Sequence, residues 1–269
     1  MNKKKLVTGL LSTAFLGGVL VTTALPADAA TYSIQSNGSI SFKSGSLELP
    51  PPGPDIDGPS HTGDFGLLYV PEEFNFAETT VPSTAVTGIT KVPIDKNWEG
   101  SPAAKVPTGT PLAGSNPEIK RFAVGDVRGE RKAGWRLDAK LTTNLTTGTK
   151  DLTGATITMN QELYKLTPQT APTPWLQQAT TASADANTPD YVPGTVGSST
   201  VVTLSAAAST TVMSAAKETN PGDADGRGEG YWKGELTNIE LNIPAAAMNA
   251  ATAGEQYKGT VDWTLTDSI

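Results

Sequence analysis

Apolar and polar residues alternate most strictly in Trp135-Arg136-Leu137-Asp138-Ala139-Lys140-Leu141-Thr142, where every odd position is apolar and every even one polar or charged. Successive side chains of an extended chain point to opposite faces, so this period of two predicts a half-buried strand. The same alternation runs through Ala155-Thr156-Ile157-Thr158-Met159-Asn160. It returns near the C-terminus, where Tyr257, Val261, Trp263 and Leu265 share one face and Lys258, Thr260, Asp262, Thr264 and Thr266 the other. Residues 231–243 read as one long strand ended by Pro244. Leu236 is out of phase with Ile239, Leu241 and Ile243, which places a bulge near Thr237-Asn238.

Weaker patterns fill in the rest. Lys120-Arg121-Phe122-Ala123-Val124-Gly125-Asp126 carries Phe122 and Val124 on one face and leads into a turn at Val127-Arg128-Gly129. Residues 67–71 and 74–76 suggest a strand pair, and residues 201–204 a buried strand. The Ala/Ser/Thr-rich residues 205–217 fit a short helix or a strand with a loop, and residues 245–253 fit a helical turn or a loop closed by Gly254. Residues 32–42 read as strand, Asn37-Gly38 turn, strand. Pro50, Pro51, Pro52, Pro54 and Pro59 then favour an extended polyproline connector, which either links this arm to the body or lays it across the body's surface. Residues 81–117, with six prolines, and residues 167–200 predict two long irregular excursions, which contain Trp98 and Trp175. The sum is an all-β domain, a sandwich or a distorted barrel with long loops.

The first thirty residues have the form of a signal peptide: Lys3, Lys4 and Lys5, an apolar run over residues 6–25, then Ala27-Asp28-Ala29-Ala30. A membrane anchor is the rival reading of that run, but Thr8, Ser12, Thr13, Thr22 and Thr23 interrupt it and a cleavage-like site follows at once. The expected organisation is a signal over 1–30, an arm and connector over 31–60, and a β domain over 61–269. No other segment reaches the roughly 20 apolar residues of a membrane span. The end, Thr266-Asp267-Ser268-Ile269, carries no sorting pentapeptide, so retention at a surface is expected to be non-covalent. No cysteine is present, so an exported fold of this kind relies on its core instead of disulfides.

Without residues 1–30, which hold three lysines and one aspartate, the formal charge moves from −7 to −9. That argues against nucleic acid as a ligand. One stretch runs against the trend: Lys120, Arg121, Arg128, Arg131, Lys132 and Arg136 are opposed only by Asp126 and Glu130, either a solvated face or a contact for phosphate or carboxylate groups of a polymer or a partner. Catalytic parts are scarce. His61 is the only histidine, so a His/Cys metal cluster or a histidine triad cannot be built. Ser214-Ala215-Ala216-Lys217 lacks its companion motifs, and no pair of carboxylates stands out for glycoside hydrolysis. Residues 223–230 start like a calcium loop, but Arg227 stands where a ligand is wanted, so a glycine turn is the better reading. No metal and no cofactor are expected.

The ordered motifs Phe122-Ala123-Val124-Gly125-Asp126, Gly134-Trp135-Arg136-Leu137, Leu152-Thr153-Gly154-Ala155, Leu241-Asn242-Ile243-Pro244 and Tyr257 leading to Trp263-Thr264-Leu265-Thr266-Asp267 resemble the WxL-domain surface proteins of Gram-positive bacteria. The resemblance implies a secreted, non-catalytic protein held non-covalently at the cell wall on peptidoglycan or an attached polymer. It also implies a membrane-anchored WxL-interacting protein as partner. A host-directed adhesin that binds a matrix protein through the loops around Trp98 and Trp175 is the alternative. Trp135, Leu137, Trp263 and Leu265 are the candidate site residues. Two roles are open for them: a buried core face, or an exposed platform on which wall sugars stack.

Overall fold

Among the described residues the chain forms eleven strands and one short helix: β1 (Ile56–Asp57), β2 (Phe65–Pro71), β3 (Thr90–Pro93), β4 (Lys120–Asp126), β5 (Trp135–Leu141), β6 (Thr156–Thr167), β7 (Leu176–Ala179), β8 (Thr200–Ser205), β9 (Thr210–Ala215), β10 (Gly230–Ile243), α1 (Ala245–Ala250) and β11 (Val261–Asp267). The computed structural model describes residues 43, 45–48, 56–57, 63–71, 73–95, 118–130, 133–170, 175–179, 187–190, 200–217 and 226–267, all within the unit Phe42–Ile269. The expected hairpin at 32–42, most of the proline-rich connector, His61, Trp98, Arg131, Lys132 and the acidic start of the 223–230 turn lie outside the described residues.

The strands make two antiparallel sheets. In the larger, β1, β2, β4, β10, β6 and β7 lie side by side, while β3 pairs the far end of β10 and β8 the near half of β6. The smaller sheet runs β11, β5, β9. Neither order closes on itself, so the fold is a sandwich and not a barrel. Its core places Trp135, Leu137, Met213 and Ala215 of the small sheet with Phe122, Val124, Trp232, Leu236, Leu163 and Leu204 of the large one.

The bulge falls where the phase break put it. Thr237 pairs with Asn160 but Glu240 with Thr158, so two residues of β10 face one of β6, and Asn238 takes a positive φ of 50°. This lets Leu236 and Ile239 both turn inward. A second irregularity, in β9 at Val212, frees a carbonyl from the ladder, and the buried Gln161 of β6 donates its Nε2 to that oxygen at 2.8 Å. That bond crosses between the sheets.

Several local expectations change. Residues 67–71 and 74–76 do not pair with each other: β2 lies between β1 and β4, and Phe76 bridges Ile94. Residues 201–204 are buried on one face only, with Val202 and Leu204 inward and Val201 exposed. Within 205–217 the β-branched Thr210-Thr211-Val212 extends as β9 beside β5, whereas the alanines of 245–250 form α1 behind Pro244. β4 is buried on both faces, since Ala123 and Gly125 point away from the core yet are covered. The cover is the short segment 45–48: Leu47 packs over Leu68, Tyr69, Ala123, Leu166 and Tyr231, and the Gly45 and Glu48 amides bond the Val127 carbonyl and the Tyr231 hydroxyl.

Candidate functional site

The two Trp-x-Leu motifs are neighbours. β5 and β11 pair so that Leu137 lies opposite Leu265, Ala139 opposite Trp263 and Trp135 opposite Asp267. Directly opposed residues share a face, so both indoles and both leucines turn toward the large sheet. Ala139 leaves room beside it for the Trp263 ring, which packs on Phe122 of the large sheet with centroids 5.3 Å apart. Burial is unequal. Trp135 and Leu137 are completely enclosed because β5 is the middle strand of its sheet, while Trp263 and Leu265, on the edge strand β11, are half-buried. A buried tryptophan removes about 150–250 Å² from water, worth about 4–6 kcal/mol at about 25 cal/mol per Å². The first motif is therefore core.

Two glycines make that enclosure possible. A Cβ on Gly134 would lie 2.8 Å from the Lys217 backbone nitrogen, so only glycine lets the chain enter β5 this close to β9. Gly228, at φ +79°, presses on the Trp135 indole, where a Cβ would stand 2.5 Å from Nε1.

The residues between the motif positions face outward. Arg136, Asp138 and Lys140 of β5 lie opposite Thr266, Thr264 and Asp262 of β11, giving one polar sheet face. Asp138 organises it, accepting from Arg136 Nε at 2.8 Å and from Thr211 Oγ1 at 2.7 Å. Among the described residues the far edge of β11 pairs with no strand, whereas the far edge of β9 is bridged by Asp190.

Arg128 closes the end of the sandwich. Its Nε and Nη2 bind the two oxygens of Asp126 at 2.9 and 2.8 Å, its Nη1 binds Asp267, and the guanidinium lies 4.1 Å from the Phe65 ring centroid. One buried cation thus joins β2, β4 and the end of the second Trp-x-Leu strand. The hydrogen bond that Arg128 donates to Asp126 leads the effects that raise the Arg128 pKa, against the cost of burial.

The other described residues of the basic stretch disperse. Lys120 is buried, Arg121 pairs with Glu235 on the outer face of the large sheet, and Arg136 stands on the outer face of the small one. Trp175 is half-buried, edge-on to Tyr231 with centroids 5.0 Å apart. Sequence reasoning missed Asp267 as the partner of Arg128, and missed a buried polar group at Lys233. The available signal for the latter was Lys233 and Glu235 standing two apart between Trp232, Gly234 and Leu236 on a long strand. Among the described residues no cluster of three or more His, Cys, Asp or Glu is arranged to hold a metal, and no helix is long and apolar enough to cross a membrane.

A family model described as WxL domain, surface cell wall-binding, matches residues 29–268. No curated protein and no solved structure matches the chain.

Proposed function

Because the chain belongs to the WxL family of surface, cell wall-binding domains, a protein of the cell surface, we propose that it is a non-catalytic module that attaches to peptidoglycan non-covalently. In this reading the Trp-x-Leu pairs act through the fold. Trp135 and Leu137 are enclosed and cannot stack on a sugar, so they hold β5 in place while Arg136, Lys140 and Thr264 on its outer side and that of β11 meet the wall. The observation that carries the proposal is the family match combined with the register that sets the two motifs side by side. Peptidoglycan offers carboxylates, amides and hydroxyls, which suit a face that mixes one guanidinium and one ammonium with the carboxylates of Asp138 and Asp262 and several hydroxyls. A membrane-anchored WxL-interacting protein would dock by adding a strand at the far edge of β11, where backbone groups supply the affinity.

The test is co-sedimentation of residues 31–269 with intact and teichoic-acid-stripped sacculi. An Arg136→Ala, Lys140→Ala double variant with unchanged unfolding should lose binding to stripped sacculi, and binding by the wild type should weaken with salt. Folded wild type that stays in the supernatant would refute direct recognition and leave the wall affinity to the partner.

A further inference from the structure

Alternation along β10 sends Lys233 and Glu235 to the outer face of the large sheet, away from the Trp-x-Leu strands. Lys233 stands between Ala123 of β4 and Tyr164 of β6, and Glu235 between Arg121 and Glu162. The edge strand β7 then brings Gln177 over the same spot. The Lys233 side chain is only 3% exposed. Its Nζ donates to Glu235 Oε2 at 2.8 Å and to Gln177 Oε1, and it lies 4.2 Å from the centre of the Tyr164 ring. A buried primary amine in contact with both a carboxamide and a carboxylate has every atom needed for an amide exchange.

We propose that Lys233 and Gln177 are joined by an intramolecular isopeptide cross-link, which the folded chain forms by itself with Glu235 as the proton carrier. Burial lowers the Lys233 pKa, against the opposing hydrogen bond and charge of Glu235, and so favours the free amine. Burial acts to raise Glu235 and the charge and hydrogen bond of Arg121 act to lower it, which leaves a carboxylate that can accept a proton from the Lys233 nitrogen once that nitrogen is the free amine. The Nζ lone pair attacks Gln177 Cδ and the Nζ–Cδ bond forms. One Nζ proton passes to Glu235 and on to Nε2. The Cδ–Nε2 bond breaks, its electron pair leaves with nitrogen, and ammonia departs. No oxidant or co-reactant is consumed.

Fixed geometry supplies the rate, because groups held in contact react as though at very high concentration. The product would clip β7 to the centre of the sheet across 56 residues of sequence, a covalent staple in a chain that has no cysteine.

The experiment is intact-mass spectrometry of purified residues 31–269, with peptide mapping after trypsin. The wild type should be lighter than its sequence by about 17 Da, one ammonia lost to the amine nucleophile, and should yield a branched peptide joining 177 to 233. Lys233→Met should have full mass. So should Gln177→Ala, a change at an exposed position that leaves the core intact, and Glu235→Gln should react slowly or not at all. Folded wild type at full sequence mass would overturn the proposal, and so would a deficit that persists in Gln177→Ala.

Discussion

Arg128→Ala tests whether one buried ion holds the second Trp-x-Leu strand to the large sheet. The side chains of Arg128 and Asp126 are 8% and 3% exposed, whereas that of Asp267 is 49% exposed. Truncation therefore leaves Asp126 as a buried carboxylate without its two guanidinium bonds, and breaking a buried pair from one side costs about 3–5 kcal/mol. The Asp267 arm is half in water and screened, so it adds about 0–1 kcal/mol. Lost stacking on Phe65 adds about 0.5–1 kcal/mol. The expected total of about 3.5–7 kcal/mol is a large share of the 5–15 kcal/mol that stabilises a typical domain. At about 2–4 °C per kcal/mol for a domain of this size, Tm should fall by about 7–28 °C. Urea unfolding followed by tryptophan emission at neutral pH measures the change. Two companions separate charge from packing: Asp267→Asn should cost about 0–1 kcal/mol, and Asp126→Leu with Arg128→Met, which removes both charges, should recover most of the loss. If Arg128→Ala costs under about 1 kcal/mol, or if the double apolar variant is as unstable as the single one, the latch carries no weight and the reasoning fails.

Other substitutions probe the motifs and their supports. Trp135→Ala should cost about 3–5 kcal/mol in urea unfolding, and the half-buried Trp263→Ala clearly less; equal costs would contradict the unequal burial. Gly228→Ala puts a side chain at positive φ and against the Trp135 indole, and should lower stability by about 1–3 kcal/mol with a shift in tryptophan emission. Glu255 is held below the ordinary glutamate range, first by its hydrogen bond from Lys150 and then by those from Tyr257 and the Thr252 amide. A depressed carboxylate stabilises the fold above its unfolded pKa of about 4.3, and that contribution is lost as pH falls through the folded value. Carbon-13 titration should find Glu255 returning toward the ordinary range in Lys150→Ala; an unchanged titration would remove Lys150 as the cause.

What the chain declares about itself depends on how many faces of a strand meet the core. β5 and β11 each have one buried and one wet face, and so show their alternation in sequence; the bulge in β10 showed as a break of phase at Leu236. β4 hid half its burial, because Ala123 is covered by Leu47, and nothing local to either residue says that the two meet. The site was legible to the same depth. That Trp135 and Leu137 share a face follows from a period of two, and so does the pairing of Trp263 with Leu265. That the first pair is sealed and the second half-open follows from sheet order, with β5 in the middle and β11 at the edge, and sheet order leaves no mark on a strand's own residues. The basic stretch makes the same point more strongly. Arg121 and Arg136 are close in sequence, but the chain changes sheets between β4 and β5 and carries them to opposite outer faces, while Arg128 stays at the crossing and turns inward to bind one carboxylate from each sheet. A run of like charges that spans a change of sheet is thereby divided among three environments, so each cation has to be tested by its own substitution instead of as a patch.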